Sequence, residues 1–380
     1  MIIGIDVHKL SESVCVTDMD GKMVEEYKMD NSKENWDSFM NKYPKKSDIV
    51  VESSTTGKYV ARLLRDNGFN IHLANPKALK IIFKSAKKTD KNDARSLAKL
   101  FRIGELPESY LPSREIDDIR SMIRYRRSLG EEVAALKNRV HALLARNGIS
   151  IDASDIFGTK ALKKMLGLSG ELNETDRFIL TDLISGFKTV SGNIARVQGK
   201  LASMGMNNEE VRILMSIPGI DYYTSLGIYS EIGDISRFPD ADHLASYTGL
   251  VPRVDQSGST AIYGHITKGG PSVLRFFIVN AVHTLIRLSP TFKKLYRKMN
   301  KKLGKNRTII AIARKLTVII YNMLAKKQEF VENHMFKPLL ERKLKSMETR
   351  SKASYEFKRE DMEKVIGAIT MQTTSNKLLS

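Results

Sequence analysis

The order of apolar runs in the first hundred residues restricts the fold more than any other feature of the chain. Ile2 to Val7 is a short apolar run, Ser13 to Thr17 a second and Met23 to Met29 a third, with Asp20-Gly21 supplying hairpin-turn chemistry between the last two. Three antiparallel strands follow from that spacing. Asn31 or Ser32 then stands where a helix N-cap belongs, ahead of Trp36, Phe39 and Met40, and Asp48 to Val51 reads as a buried strand ending at Glu52. The spacing of Tyr59, Val60, Leu63 and Leu64 predicts a helix over Gly57 to Asn67 that Gly68 stops. Asn70 to Ala74 predicts a fifth strand, and Pro76 opens another helix. The outcome is βββαβαβα, a mixed sheet flanked by helices.

That order is the order of an α/β RNase H-like domain, placed over residues 1–107. Four carboxylates stand out within it. Asp6 ends the first strand, Glu52 ends the strand after the meander, and Asp90 and Asp93 are three apart in a helix-forming stretch, which puts both on one helix face. An RNase H-like sheet brings those strand ends and that helix together. Two Mg²⁺ ions need several hard oxygen ligands and keep open positions for phosphate and water, so four acids suit phosphodiester cleavage. Asp6, Glu52, Asp90 and Asp93 are therefore the expected metal ligands and catalytic set. From Lys77 to Arg102 there are nine Lys or Arg residues, and the only acids are Asp90 and Asp93. Lys88, Lys91 and Arg95 in this basic stripe are candidate nucleic-acid contacts. Any one of the acids alone would be an ordinary solvated side chain, and it is four in fold-consistent order that carries the reading. An actin-like or sugar-kinase ATPase also begins with a strand aspartate, but no Gly-rich phosphate loop follows here.

Beyond the sheet, Ile116 to Asn147 and Glu174 to Met204 are long helical segments with thin apolar stripes such as Val133, Leu136, Val140 and Leu143. They predict a helical or coiled-coil arm over residues 108–206, with a loop-rich tip at 148–173. A mainly α domain is expected at 207–330 and a charged tail without a clear period at 331–380. Ile217-Pro218-Gly219-Ile220 has the form of a helix-hairpin-helix turn, whose backbone N–H groups around Gly219 could hold a phosphate at a helix N-terminus; a plain αα-turn is the alternative. Ser257 precedes Gly258 in a Gly/Ser-rich loop flanked by Arg253, Lys268 and Arg275, so a small hydroxyl could approach a phosphate whose charge those cations offset. Tyr263 is a competing hydroxyl, and a surface turn is the bland reading of Ser-Gly. From Arg287 to Lys315 eleven residues are basic and none acidic, while Ile309, Ile310, Ile312 and Ala313 supply a core face. Such a run favours polyanion contact through Lys293, Lys294, Arg297 and Lys298.

Composition points the same way: 62 Lys+Arg against 43 Asp+Glu in 380 residues leave +19. Nucleic acid is the leading partner, ahead of an anionic membrane surface. No uninterrupted apolar run reaches the ~18 residues of a membrane span, and Met1-Ile2-Ile3-Gly4-Ile5-Asp6 is not a signal peptide. A cytosolic protein is expected. The single cysteine, Cys15, excludes an internal disulfide and a multi-cysteine zinc site, and reads as a buried strand residue.

Three segments, Gly4-Ile5-Asp6-Val7-His8-Lys9, Val51-Glu52-Ser53 followed by Thr56-Gly57-Lys58-Tyr59, and Lys88-Thr89-Asp90-Lys91-Asn92-Asp93-Ala94, together resemble the acidic motifs of the IS110-type transposases, which carry a RuvC-like DEDD domain. Ile217-Pro218-Gly219-Ile220, Ser246-Tyr247-Thr248-Gly249-Leu250-Val251-Pro252, Gln256-Ser257-Gly258 and Gly264-His265-Ile266-Thr267-Lys268 with Leu274-Arg275 look like that family's C-terminal transposase domain. One departure is visible: Ser53-Ser54-Thr55 makes the link from Glu52 to Thr56-Gly57 longer than the family's usual Glu-x-Thr-Gly.

The resemblance implies a DNA transposase/recombinase of an insertion sequence, in which Ser257 attacks the DNA phosphate and is held covalently. It further implies a structured non-coding guide RNA that pairs with donor and target DNA. A homodimer or homotetramer is implied as well, the acidic domain of one subunit completing the serine site of another, in the cytoplasm of a prokaryote and associated with its nucleoid. Two rivals make different demands. A RuvC-type junction-resolving nuclease acting through metal-activated water has no need of Ser257, and a non-catalytic nucleic-acid-binding protein tolerates loss of any single carboxylate.

Overall fold

In the computed structural model the first strand, β1 (Ile2–Val7), is buried along its whole length, as a strand covered on both faces must be. It pairs antiparallel with β2 (Ser11–Thr17), which pairs antiparallel with β3 (Met23–Asp30); on its other side it runs parallel to β4 (Asp48–Glu52), which runs parallel to β5 (Asn70–Ala74). The sheet order is β3-β2-β1-β4-β5. Side chains alternate between the two faces. Ile3, Ile5, Val14, Val16, Ile49 and Val51 pack with Trp36 and Phe39 of α1 (Lys33–Lys42) and Val60 and Leu64 of α2 (Thr55–Asp66). Ile2, Val50 and Ala74 face the opposite way, against Leu79 of α3 (Pro76–Ile82) and Leu97, Ala98 and Leu100 of α4 (Asp90–Arg102). Each element expected from the apolar pattern is present, and the mixed sheet fits an RNase H-like DEDD fold.

Local chemistry explains the helix starts. Ser32 caps α1 by accepting the N–H of Asn35 at 3.2 Å, while Asn31 accepts Trp36 Nε1–H at 2.9 Å. The longer link after Glu52 also has a role: Ser54 Oγ caps α2 by accepting the Gly57 N–H at 2.8 Å.

The structure describes residues 1–82, 90–151, 156–158, 161, 165, 172–257, 260–332 and 337–352, and the chain divides into two compact units, Met1–Ser113 and Arg114–Ser380. In the second unit, α5 (Arg114–Arg146) and α6 (Glu174–Gly205) form an antiparallel pair: Arg146 and Asn147 at the end of α5 bond Asp176 at the start of α6, and Leu136 lies beside Gly186 midway along. The pair lies in one compact unit with the helices that follow. Buried Arg120 of α5 is the reason, since its Nε donates to the Ser230 carbonyl at 2.5 Å and its Nη2 to the Glu231 carbonyl at 3.2 Å. The remaining elements are α7 (Glu209–Met215), α8 (Tyr222–Ile232), α9 (Ala241–Thr248), the hairpin β6 (Pro252–Ser257) with β7 (Thr260–Ile266), α10 (Ser272–Leu288), α11 (Pro290–Leu303), α12 (Lys305–Lys326) and α13 (Lys337–Lys352). Among the described residues α12 alone is long and apolar enough by composition to cross a membrane, and half of that window is buried in the core of its unit. Within the charged tail, Leu340 and Met347 bury one side of α13.

Candidate active site

Strand register sets the first two acids. β1 and β4 are parallel and matched from Ile2 opposite Asp48 to Ile5 opposite Val51, so one further residue puts Asp6 and Glu52 side by side at the strand ends. Alternation from Ile2 and Val50 turns both toward the α4 face. There α4 crosses β1 directly over Gly4, where an added Cβ would fall 2.1 Å from the Ala94 carbonyl oxygen. Leu97 and Ala98 pack with Ile2 at the far end of the strand, so the first turn of α4 lies toward Asp6. Asp90 opens that turn and Asp93 lies one turn further on, half-buried. The side chain of Asp90 lies outside the described residues. Among those described, no three acidic, histidine or cysteine side chains converge as a metal cluster.

Asp6 is buried, and its Oδ2 lies 3.2 Å from His8 Nε2. A further acid, which pattern reading missed, stands on the opposite face: Glu12, fully buried and paired with Val7 in the β1–β2 ladder. Its Oε2 accepts the backbone N–H of His8 at 3.1 Å, and Oε1 has no hydrogen-bond partner among the described residues. Burial raises its pKa to about 7, with the Asp6 charge adding to the rise and the His8 N–H opposing it. The apolar run of β2 begins at Ser13, one residue beyond Glu12, so the pattern alone does not mark this acid.

The basic stripe divides. Lys88 and the side chain of Lys91 lie outside the described residues. Arg95 forms a fork with Glu26 of β3, Nε to Oε1 at 2.5 Å and Nη2 to Oε2 at 2.7 Å, and so ties α4 to the sheet.

In the second unit, Ser257 ends β6 and pairs with Thr260 across Gly258 and Ser259. The side chains of Ser257 and Tyr263, together with Gly258 and Ser259, lie outside the described residues. The base of the hairpin is fixed, with the Thr267 N–H donating to the Val251 carbonyl at 2.9 Å and the Lys268 N–H to the Gly249 carbonyl at 3.2 Å. Arg253 and Lys268 are exposed. Arg275 is half-buried, which lowers its pKa, and its Nη1 donates to the carbonyls of Thr248 and Gly270 at 3.0 and 2.8 Å. It thus joins the two segments that flank the hairpin.

The Ile217 to Ile220 turn is largely satisfied from within. Gly219 adopts φ +92°, and an added Cβ would lie 2.8 Å from the Ala281 carbonyl of α10. Asp221 caps α8 by accepting the Thr224 N–H at 2.8 Å, so a carboxylate holds a helix-start N–H that a phosphate would use. Lys343 of α13 donates to the carbonyls of Met215 and Ile217 at 2.7 and 2.9 Å, and burial lowers its pKa to about 8. Lys293, Lys294, Arg297 and Lys298 are all exposed on α11, with Lys301 and Lys302 continuing the run.

Comparison with known families follows these two regions. A model described as transposase, the DEDD transposase of IS110, matches residues 3–147, and one described as transposase of the IS116/IS110/IS902 family matches residues 211–297. The transposase for insertion sequence element IS1111A of Coxiella burnetii is 25% identical over 338 residues, 87% of this chain and 91% of that protein. The transposase for IS1328 of Yersinia enterocolitica is 24% identical over 283 residues, 72% of this chain and 82% of the relative. The pilin gene-inverting protein of Moraxella bovis is 38% identical over 126 residues, 32% of this chain and 39% of the relative.

Proposed function

Because the chain belongs to the IS110 family of transposases, we propose that it cuts donor and target DNA and rejoins the strands through a covalent Ser257–DNA bond, guided by a structured non-coding RNA. The observation that carries this reading is the pairing of Asp6 with Glu52 at adjacent strand ends, on the face crossed by the helix that Asp90 opens.

A divalent-metal dependence goes with the DEDD domain; we assign it to Mg²⁺, two ions, held by Asp6, Glu52, Asp90 and Asp93. A donor set of oxygen alone, with Asp6 screened from solvent, fits a hard cation. Such an ion, when bound, supplies charge neutralisation at the scissile phosphate. The chain's own residues do the rest. The His8 ring orients one oxygen of Asp6, and Glu12 fixes the His8 backbone from beneath. At the second site the Ser257 oxygen forms a bond to phosphorus as the bond from phosphorus to the sugar oxygen breaks; the serine loses its proton and the displaced oxygen gains one. One phosphoester replaces another, so strands can rejoin in the reverse step without ATP.

Arg253, Lys268 and the α11 cations support the DNA and RNA contacts, with Gly219 and its turn as a helix-hairpin-helix-like element and Arg275 as the brace of the hairpin. The α5–α6 pair is assigned as the coiled-coil element of a homodimer or homotetramer, and the protein to the cytoplasm, on the nucleoid.

The test is a target DNA nicked near the cleavage point, which traps a DNA–protein adduct because the far product diffuses away before religation. Ser257→Ala loses adduct and recombination together, whereas Ser259→Ala and Tyr263→Phe keep the adduct. DNA mapped to a tyrosine, or recombination by Ser257→Ala, puts the junction-nuclease reading ahead. Sequencing nucleic acid that copurifies with the protein tests the guide: a discrete structured RNA is expected, and random fragments overturn it.

A further inference from the structure

Between α11 and α12 lies a cleft of about 740 Å³ lined by Phe292, Leu295, Met299, Val318, Ile319 and Phe330. At its edge Val331 is 68% exposed. Apolar surface of this kind, left open on a strongly charged molecule, is usually covered by a partner. Arg314 and Lys315 line the cleft as well, and at 100° per residue Lys298 and Lys302 fall on the flank of α11 next to its lining face. Arg314 also pairs with Asp242 at 3.2 Å, and Glu332 accepts the Thr291 N–H at 3.0 Å, so the lining acid is engaged with the backbone. The cleft is thus an apolar slot with a cationic rim, at home to an amphipathic helix whose apolar stripe is edged by acids.

One stretch of this chain has that pattern. Residues 360–371, which lie outside the described residues, read Glu-Asp-Met-Glu-Lys-Val-Ile-Gly-Ala-Ile-Thr-Met. Met362, Val365, Ile366 and Ile369 recur at i, i+3, i+4 and i+7, the helical spacing. Asp361 and Glu363 fall on either edge of the stripe, and the stretch holds three acids to one base in a chain whose Arg287 to Lys315 run has none. Lengths agree too. Met362 to Ile369 spans seven residues, ~10.5 Å of helix, the same rise as the lining from Phe292 to Met299 on α11. The chain can return that far: α13 starts five residues after Glu332 and rises ~24 Å, and the nine residues between Lys352 and Met362 reach ~30 Å when extended.

We propose that residues 360–371 dock in the α11–α12 cleft of their own chain, apolar stripe inward and Asp361 and Glu363 against the cationic rim. This occupant explains in one step why the chain's acid-edged apolar stretch follows its most basic region.

The experiment uses the full-length chain, whose native Cys15 is buried and does not compete. Val331→Cys is combined in turn with Met362→Cys, Val365→Cys, Ile366→Cys or Ile369→Cys, and treated with a short bismaleimide cross-linker at low protein concentration. At least one pair gives a cross-link within a single chain, placed by peptide mapping and migrating as monomer. Adding Glu at two remaining stripe positions, such as Val365→Glu with Ile369→Glu in the Ile366→Cys background, returns the yield to that of single-cysteine controls. The proposal is overturned if no pair links above those controls, if the product joins two chains, or if the Glu variants link as well as their parent. None of these substitutions touches a buried residue described in the fold, so misfolding does not cloud the outcome. DNA takes no part, so a failure here leaves the transposase reading untouched.

Discussion

A carboxylic acid as fully buried as Glu12 holds its proton to about pH 7, against an ordinary value of 4.5. The folded protein therefore binds more protons than the unfolded chain between those two values. The stability linked to the protonated form is present below about pH 4.5 and is lost as pH rises through 7. Glu12→Gln keeps an acceptor for the His8 N–H and removes the charge. It should be more stable than the parent at pH 8, by on the order of 2 kcal/mol, and nearly equal to it at pH 5, in thermal melts without added metal. An equal or lower melting temperature at pH 8 would count against burial as the cause. Asp6→Asn and Asp93→Asn should behave differently again, losing strand cleavage while DNA affinity stays close to the parent, because the cationic contacts remain. Cleavage at the parental rate by either would remove the four-acid site from consideration. Asp6 and Glu52 were legible because each closes an apolar run, which marks a strand end. Glu12 was not, because a charged residue entering a strand looks like a loop residue until the sheet covers it.

At the scale of elements, α4 is held to the sheet by the Gly4 notch and by the Arg95–Glu26 fork. Both act on the helix that starts with Asp90, so the fork positions the turn that carries Asp90 and Asp93. Glu26→Gln and Arg95→Lys should each raise the divalent-metal concentration needed for half-maximal cleavage, with the rate at saturating metal recovering toward the parent. Exchanging the two charges, Glu26→Arg with Arg95→Glu, should restore part of the loss. If Arg95 instead served DNA, Glu26→Gln would be silent and Arg95→Lys would weaken binding. On α11 the expectation concerns salt. Neutralising three of Lys293, Lys294, Arg297, Lys298, Lys301 and Lys302 should flatten the slope of log affinity on log salt by roughly 0.7 to 0.9 per lost phosphate contact, and an unchanged slope would mean that this face meets only solvent. Strands and helices of the first unit were legible because apolar period and turn residues agree there. The α13 helix was not, since Leu340 and Met347 are widely spaced and its Lys343 is held by carbonyls from distant sequence.

Taken whole, the chain keeps its acid set and its cationic excess in different units. Residues 1–113 hold 19 basic and 16 acidic side chains, and residues 114–380 hold 43 and 27. The acid set belongs to the nearly neutral unit, where a surplus of fixed cations would compete with metal for the same carboxylates. The cationic excess belongs to the other unit, and counterion release makes such an excess the main source of salt-dependent affinity. The first unit contains both of its apolar cores, one on each face of the sheet, so residues 1–113 should fold alone. Expressed by themselves they should give a cooperative melt shifted upward by Mg²⁺ or Mn²⁺, yet bind duplex DNA weakly and with a shallow salt dependence. Residues 114–380 should keep most of the slope of the full chain, measured by fluorescence anisotropy over a KCl series. The opposite division, with the steeper slope in residues 1–113, would move the main phosphate contacts to the Lys77 to Arg102 stripe. The α11 run would then be left without its assigned role, and net charge alone would have misled, because a few cations concentrated beside the acids can outweigh many spread over a larger surface.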